Sequence, residues 1–332
     1  MARNDPNVVL VTGGTGMIGA HVARTLLKEG LKPILFDFAP SAENIADIAD
    51  RVIVERGDIG SMSDLVEVVS RHGLGRIVHL AAVLTIQAAV KPANSVVTNC
   101  AGTAHIFSLA KLFDMKRVVY ASSAAVYAPR PYYEKLLGRH VVTEDDPPMP
   151  GDVYGSTKYM CEALAAQAIR EGQDIVGVRP VMTFGLGRMT GAVGILNLAM
   201  RDAALNGSGL VTRPWSPDTE INPMYVKDCA DLIVRTLLAE RRLARPVYNL
   251  GTGEYYSIAH MMDVAGAAMP RAARITFEDR TSAEGKGVDV PGFNYADLDS
   301  SALRRELNWS PRYGFEAAAR ECVEMYLEEA AA

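Results

Sequence analysis

A tyrosine and a lysine lie four residues apart at Tyr154 and Lys158, in the segment YGSTK. The run that begins at Lys158, KYMCEALAAQAIREG, has the pattern of a helix, in which positions i and i+4 share a face. A phenol in water keeps its proton at neutral pH, but a fixed cation beside it favours the phenolate. The pair is therefore a candidate acid–base unit, suited to taking the proton of an alcohol that becomes a ketone.

Three glycines at three-residue intervals follow an apolar run near the N-terminus. The run VVLVT at residues 8–12 is typical of a buried parallel strand, and Gly13, Gly16 and Gly19 lead from it into a helical pattern. Glycines there allow a tight turn, and the N–H groups that begin a helix attract phosphate. Because no Gly-Lys-Ser/Thr sequence ends the run, the pattern predicts a dinucleotide site rather than a nucleoside-triphosphate loop.

An acidic residue follows the next apolar run, PILFDF, at Asp37. It lies about twenty residues beyond the glycines, where a dinucleotide-binding fold places a carboxylate on the adenosine ribose hydroxyls. A carboxylate would repel a phosphate on that ribose, and no arginine follows immediately. We therefore predict NAD as the cofactor rather than NADP.

Further short apolar runs alternate with helical patterns along the N-terminal half, and small or polar residues follow several of them. This alternation is typical of a doubly wound parallel sheet, whose ligands collect at the carboxyl ends of the strands. Asp58, Ala81 and Ser123 would then meet Gly13 and Asp37 at one edge of the sheet. The runs are residues 51–55, 76–80 and 117–121.

The predicted fold class is α/β, a Rossmann-type doubly wound parallel sheet with a smaller C-terminal α/β substrate domain. The length of 332 residues accommodates both parts. We place the NAD-binding domain at 1–180 and the mainly substrate-binding domain at 181–332. Segments near 222–252 are expected to return to the first domain.

Composition excludes several classes of function. A net charge of -5 gives no electrostatic reason to expect nucleic acid or an anionic membrane as a partner. No apolar run is long enough to span a bilayer, and no signal peptide is visible, so a cytoplasmic location is expected. The four cysteines and six histidines show no metal-ligand spacing, so no metal site is predicted.

Taken together, these motifs resemble the extended short-chain dehydrogenase/reductase family, the NAD-dependent epimerases and dehydratases. The resemblance covers nearly the whole chain and is specific as a set. Its pieces are TGGTGMIG, the strand-end Asp37, GDI at 57–59, HLAA at 79–82, YASSAAVY at 120–127, YGSTK at 154–158, RP at 179–180, YVKDCA at 225–230, YNLGTG at 248–253 and LNWSP at 307–311.

The resemblance implies roles for particular residues. Ser123 would be the catalytic serine, in preference to Ser122, Tyr154 the acid–base residue, and Lys158 the group that holds the nicotinamide ribose. A homodimer is implied, paired through helices near residues 101–113 and 154–170. The cofactor would contact Gly13, Gly16, Met17, Ile18, Gly19, Asp37, Asp58, Ile59, Leu80, Ala81, Ala82, Asn99, Tyr154, Lys158, Pro180 and Val181.

Departures from the family pattern bear on the substrate. Ala124 and Ala125 stand where the 4,6-dehydratases carry an Asp–Glu pair, so dehydration is not expected. Met182 and Ile221 replace an asparagine and an arginine that commonly bind a sugar nucleotide, and the later loop offers only Lys286. A diphosphate needs matched cations or hydrogen-bond donors. The asparagine and the arginine that usually supply them are replaced in this sequence.

These departures favour an oxidoreductase that transfers hydride between NAD and a secondary alcohol or ketone of a small polyhydroxylated substrate. The alternatives are a UDP- or dTDP-sugar 4-epimerase and, in another class, an NAD-sensing binding protein without turnover. Residues 128–152 could form a lid or substrate loop. The candidate substrate contacts are Ser123, Tyr154, Met182, Arg188 and Arg213, with Arg201 and Trp215 as further possibilities.

Overall fold

The computed structural model describes residues 4–187, 190–269, 272–278 and 296–331. Its strands in chain order are β1 Asp5–Thr12, β2 Lys32–Asp37, β3 Ile53–Arg56, β4 Leu74–His79, β5 Arg117–Ala121, β6 Val141–Val142, β7 Ile175–Pro180, β8 Met182–Phe184, β9 Ser208–Val211, β10 Glu220–Ile221, β11 Pro223–Tyr225, β12 Val247–Leu250, β13 Tyr256–Ser257, β14 Arg274–Phe277 and β15 Asp297–Leu298.

The α-helices in chain order are α1 Met17–Lys28, α2 Met62–His72, α3 Thr85–Val90, α4 Pro92–Ser95, α5 Gly102–Leu112, α6 Arg130–Leu137, α7 Val153–Arg170, α8 Gly191–Asn206, α9 Val226–Leu238, α10 Ile258–Ala267, α11 Ser301–Glu306 and α12 Phe315–Ala331. Two 3₁₀ segments cover Glu43–Arg51 and Ala124–Val126, and a π-helical turn covers Val96–Ala101.

Parallel strands form the central sheet. Within the described residues it has seven strands in the order β12-β7-β5-β4-β1-β2-β3. Helices α1 and α9 cover one face of it, and α2, α5 and α7 cover the other. Because both faces are covered, the strands are continuously apolar, and Val9, Leu10 and Val11 in β1 are fully buried. The predicted α/β doubly wound fold is confirmed.

The C-terminal half adds a smaller layer of short strand pairs and helices. β8 pairs with β11, β9 with β14 and β10 with β13, while α8, α10 and α12 enclose a core around Phe184, Met200 and Trp215. β12 leaves this part and joins the edge of the central sheet beside β7. The boundary at residue 180 stays a prediction. Among the described helices, none combines the length and hydropathy that a membrane crossing needs.

Residues 128–152 form packed structure. Helix α6 buries Tyr133, whose hydroxyl donates to the carbonyl of Pro147 at 2.8 Å, and β6 pairs with β15. Arg130 at the start of α6 contacts Asp297 and Glu220, each at 2.6 Å. One guanidinium therefore ties together three segments that are distant in the sequence.

The glycine run forms the turn between β1 and α1. Gly13 has a φ of 65°, in the left-handed region that favours glycine, and its N–H donates to the carbonyl of Phe36 at 2.9 Å. A Cβ on Gly19 would lie 2.2 Å from the carbonyl oxygen of Gly13. The first turn of α1 thus packs directly on the loop, which brings the helix N-terminus to the edge of the sheet.

We expect Gly19→Ala to destabilise the protein by about 1–3 kcal/mol and to weaken NAD binding, because the added methyl group must push α1 away from the loop backbone. Urea denaturation and NAD titration by calorimetry measure the two effects. Gly266→Ala in α10 is the matched control, since a Cβ there meets no atom within 4 Å. Equal behaviour of the two variants would contradict the close packing.

Candidate active site

A cavity of about 1490 Å³ opens along the carboxyl ends of the central strands. Asn99 is not among its lining residues, and no residue of 128–152 reaches it, which leaves the lid hypothesis without support. The predicted site residues that line it are Gly13, Gly16, Met17, Ile18, Gly19, Asp37, Asp58, Ile59, Leu80, Ala81, Ala82, Ser123, Tyr154, Lys158, Pro180, Val181 and Met182.

Tyr154 and Lys158 lie in the first turns of α7. Asp152 caps this helix, and its carboxylate accepts from the N–H of Gly155 at 2.7 Å. Lys158 is 3% exposed, and its Nζ donates to the carbonyl of Ala121 at 2.8 Å while lying 5.8 Å from the centre of the Tyr154 ring. The ammonium is thus fixed between the end of β5 and the phenol.

The two serines after β5 have different partners. Ser122 is buried and donates to Oε1 of Glu162 at 2.5 Å. The Ser123 oxygen accepts from the N–H of Ala125 at 3.1 Å, which leaves its own proton available toward the cavity. This arrangement fits Ser123 as the group that contacts a substrate oxygen.

A buried ion pair lies behind the serines. Arg179 in β7 and Glu162 in α7 are joined by contacts of 2.8 and 2.7 Å, with side chains 2% and 8% exposed. Arg179 also donates to the hydroxyl of Tyr127, which in turn donates to Oδ1 of Asn249 at 3.0 Å. The network connects α7, β7, β12 and the segment after β5.

Asp37 lies at the glycine loop, as its position in the sequence predicted. One carboxylate oxygen accepts from the N–H and the hydroxyl of Thr15 at 3.2 and 2.9 Å, and the other accepts from the N–H of Ala39. The fixed negative charge lines the cavity. It suits the paired hydroxyls of an unphosphorylated ribose and would repel a phosphate.

A segment that sequence reasoning missed closes over the glycine loop. Asn44, in the 3₁₀ segment after β2, donates to the carbonyl of Thr15 at 2.8 Å. Gly187, beyond β8, packs so closely on Asn44 and Met17 that a Cβ there would lie 2.7 Å from the Asn44 side-chain oxygen. The contact of Asn44 with Gly187 bridges the two halves of the cleft.

A chain of hydrogen bonds runs beneath the cavity floor. Oγ1 of Thr12 accepts from the N–H groups of Leu80 and Ala81 and meets Nδ1 of His79 at 2.6 Å. The Thr103 hydroxyl donates to the carbonyl of Asn99 at 2.5 Å, so its oxygen accepts from Nε2 of His79, 3.0 Å away. His79 is therefore the neutral tautomer with its proton on Nε2. Burial, and then the charge of Lys158, lowers the pKa of His79 to about 3.

Asn99 has a structural role next to this chain. Its amide bonds both the N–H and the carbonyl of Val83 and donates to Oγ1 of Thr157 at 2.9 Å. The residue predicted to contact the cofactor therefore shapes the cavity wall from behind and joins it to α7.

Only some of the expected substrate residues line the cavity. Met182 lines the cavity together with Ile221, Trp215 and Arg201. Arg213 is exposed and does not line it, and its backbone N–H donates to Glu278. Arg188 and Lys286 fall outside the described residues. Sequence reasoning also missed Asn222 and Tyr255, which line the cavity from two loops and carry no motif spacing.

Glu162→Leu should destabilise the protein by about 3–5 kcal/mol, because it leaves the Arg179 charge buried without its partner and releases Ser122. Urea denaturation measures the loss. Asp145→Leu breaks an exposed pair with Arg245 and should cost less than about 1 kcal/mol. Similar costs for the two variants would show that the buried pair is not special.

The stability should also depend on pH through His79. Its pKa is about 3 in the folded protein and 6.5 when unfolded, so between these values the unfolded chain binds more protons. Stability is therefore complete above pH 6.5 and is lost as the pH falls, by up to about 1.4 kcal/mol per pH unit. His79→Gln should reduce this slope between pH 5 and 6.5 in urea denaturation.

His21→Gln provides the parallel case. Burial, and then Arg24, lowers the pKa of His21 to about 3 as well. His21→Gln should therefore reduce the dependence of stability on pH by a similar amount. His21 lies on α1, outside the hydrogen-bond chain of Thr12. A slope unchanged in His79→Gln would show that His79 is charged in the folded protein.

Known proteins of similar sequence include UDP-glucose 4-epimerases. A UDP-glucose 4-epimerase from Rhizobium meliloti (strain 1021) is 27% identical over 330 residues and 94% of each chain. One from Azospirillum brasilense is 28% identical over 329 residues, covering 92% of this chain and 87% of the relative.

Solved structures share the fold. A UDP-glucose 4-epimerase from Thermotoga maritima, solved with UDP-glucose, matches with a TM-score of 0.82, 21% identity and coverage of 98% and 100% of the two chains. An L-threonine dehydrogenase from Clostridium difficile matches with a TM-score of 0.81, 21% identity and coverage of 98% and 99%.

The family model for the NAD dependent epimerase/dehydratase family matches residues 9–251, more than half of the chain. This match spans the glycine loop, Ser123, Tyr154 and Lys158, and it confirms the resemblance found in the sequence. The chain is an enzyme of the NAD-dependent epimerase/dehydratase family.

Proposed function

We propose that the enzyme is a nucleotide-sugar 4-epimerase that acts on a UDP-sugar or a related compound. The observation that carries the proposal is the convergence of Ser123, Tyr154 and Lys158 in a cavity of about 1490 Å³. Single drug-sized ligands occupy roughly 300–1,000 Å³, so there is room for NAD and a second large ligand. The curated relatives named above, both UDP-glucose 4-epimerases, support this choice over the small-substrate oxidoreductase favoured by the sequence.

The side chains supply the proton chemistry. Tyr154 takes the proton of the reacting hydroxyl, Ser123 donates a hydrogen bond to the same oxygen, and Lys158 stabilises the phenolate. NAD, when bound, supplies the acceptor of the hydride. An epimerase must also let the oxidised sugar turn within the cavity, so that hydrogen returns to the opposite face of its ring.

A second candidate is a dehydrogenase of a small polyhydroxylated substrate. Met182 and Ile221 bring apolar side chains to the cavity, where a diphosphate would need cations or donors, and Arg213 lies outside it. Arg201 lines the cavity and could serve either candidate. The intact set of Ser123, Tyr154 and Lys158 argues against a sensor without turnover. The cytoplasmic location stays a prediction.

Tyr154→Phe should lose at least about 99% of the turnover while keeping NAD binding, because only the proton-transfer group is removed. We would assay UDP-glucose, UDP-galactose and dTDP-glucose for epimer formation, and free sugars, sugar acids and hydroxyacids for NADH formation. Tyr132→Phe, on the exposed side of α6, is the matched control and should keep full activity.

The substrate panel decides between the two candidates. Epimer formation from a UDP-sugar supports the proposal, and NADH formation confined to the small substrates overturns it in favour of the dehydrogenase. A Tyr154→Phe variant within a few fold of the wild type would show that another group moves the proton.

We also propose a homodimer, as the family resemblance implies. Exposed apolar side chains cluster on the π-helical turn, α5 and α7, on the side of the sheet away from α1 and α9. A patch of this kind is typical of an interface, and a two-fold contact is the commonest solution. Its members are Val96, Val97, Leu112, Val153, Tyr159 and Met160.

Light scattering after gel filtration should give twice the mass of one chain at micromolar concentration. Met160→Arg should yield folded monomers, because it buries a charge in a two-fold contact. Leu210→Arg, at an equally exposed apolar position on β9, should remain dimeric. A monomeric wild type, or equal effects of the two variants, would contradict the assigned patch.

A further inference from the structure

Asn222 carries an unused hydrogen-bond donor in the cavity wall. The residue lies between β10 and β11, is 4% exposed and lines the cavity. Its Oδ1 accepts from the hydroxyl and the N–H of Thr252 at 2.9 and 3.3 Å, whereas its Nδ2 meets no acceptor among the described residues. A buried polar atom left unpaired costs about 1–3 kcal/mol, so its retention calls for an explanation.

The free amide group lies near a residue that is expected to contact the cofactor. A Cβ on Gly251 would contact both the Val181 side chain, at 3.2 Å, and Nδ2 of Asn222, at 3.4 Å. The N–H of Val181 donates to the carbonyl of Leu250, which fixes it at the ends of β7 and β12. Nδ2 is therefore a neighbour of Val181, which is among the expected cofactor contacts.

Tyr255 supplies a second donor at the same place. Its oxygen accepts from the N–H of Leu298 at 2.6 Å. Burial raises the pKa of Tyr255 to about 12, so the phenol keeps its proton at neutral pH. The amide of Asn222 lies close enough to lower the pKa of the phenol, but Nδ2 has no partner of hydrogen-bond geometry among the described residues. Like Asn222, Tyr255 lines the cavity, and no described residue accepts its proton.

The surroundings of the two donors favour an uncharged partner. Met182, Ile221 and Leu298 provide apolar lining around them. Arg130, whose guanidinium lies 5.8 Å from the centre of the Tyr255 ring, is held by the two carboxylates of Glu220 and Asp297. An anion placed there would meet one cation and two anions, whereas a neutral oxygen would gain two hydrogen bonds.

We propose that Asn222 and Tyr255 form a specificity subsite that donates two hydrogen bonds to one hydroxyl or carbonyl oxygen of the substrate. This oxygen differs from the one that Tyr154 deprotonates. The subsite rests on the proposed function only through hydride transfer from the carbon whose hydroxyl Tyr154 deprotonates, a step that both candidate functions share. It accounts for the free donors, and it gives the otherwise apolar wall a means of recognising one position of a polyhydroxylated ring.

A comparison of deoxy substrates tests the subsite. We compare 2-deoxy-, 3-deoxy- and 6-deoxy-UDP-galactose with UDP-galactose. For the wild type, kcat/KM should be at least about tenfold lower for one of the three deoxy compounds than for UDP-galactose. Asn222→Asp keeps the acceptor for Thr252 but loses the donor, and it should bring that ratio close to one with an unchanged Kd for NAD. Thr252→Val removes the hydroxyl that donates to Asn222 and accepts from the N–H of Glu254, but it leaves Nδ2 of Asn222 in place and should keep the discrimination.

The outcomes separate the subsite from the proposed function. If UDP-galactose is inert and galactose is oxidised, the epimerase proposal fails and the same comparison is made with the monodeoxy galactoses. If the discrimination persists in Asn222→Asp, or never appears in the wild type, the subsite proposal fails. Whichever of the two activities was measured remains valid.

A crystal structure of the wild-type NAD complex provides a test that needs no substrate. Nδ2 of Asn222 should bind only water or ligand in the cavity. A hydrogen bond from Nδ2 to any protein acceptor would overturn the proposal whatever the substrate is.

Discussion

The ion pair of Glu162 and Arg179 is the interaction on which the geometry of the site depends. Charges so deeply buried are tolerated only when hydrogen bonds satisfy them, and here the bonds come from Ser122 and Tyr127. Glu162 lies one helical turn beyond Lys158, so the pair fixes the rotation of α7 relative to the strand ends. The phenol, the ammonium and the serine turn are thereby held as one unit.

The cavity combines this fixed polar floor with a mixed outer wall. Beneath the strand ends, the neutral His79 links Thr12 to Thr103 without adding a charge beside Lys158. Farther out, Met182 and Ile221 place apolar surface on the cavity wall. The cavity thus joins a polar floor around Ser123, Tyr154 and Lys158 to an apolar outer wall.

Local patterns predicted which residues come together at the glycine loop and on α7. Gly13, Gly19 and Asp37 lie within one strand–helix–strand unit, and Tyr154 and Lys158 are neighbours on one helix, so short-range spacing was sufficient. Their contacts with the cofactor and the substrate stay predictions. Spacing did not predict the backbone contacts of Asn99, because an amide near the cavity can equally bond the backbone behind it, as it does at Val83. Its contact with the cofactor stays a prediction.

Contacts between residues that are distant in the sequence were not predicted, because they form only when separate elements are packed together. Asn222 and Tyr255 approach each other only after β10, β11 and β13 are placed, and neither lies in a motif that marks a donor. Residues 128–152 have the composition of a loop, but the pairing of β6 with β15 turns them into packed structure. That pairing depends on a segment more than 150 residues away.

The contact between Asn44 and Gly187 has a kinetic consequence. Both residues line the cavity beside the glycine loop but come from separate parts of the chain, so the exit of a dinucleotide held between them would require those parts to move apart. A dehydrogenase must exchange its oxidised and reduced nucleotide in every cycle, and its rate would be limited by that opening. A catalyst that regenerates its nucleotide internally has no such exchange step, and slow escape then preserves the active species between encounters with substrate.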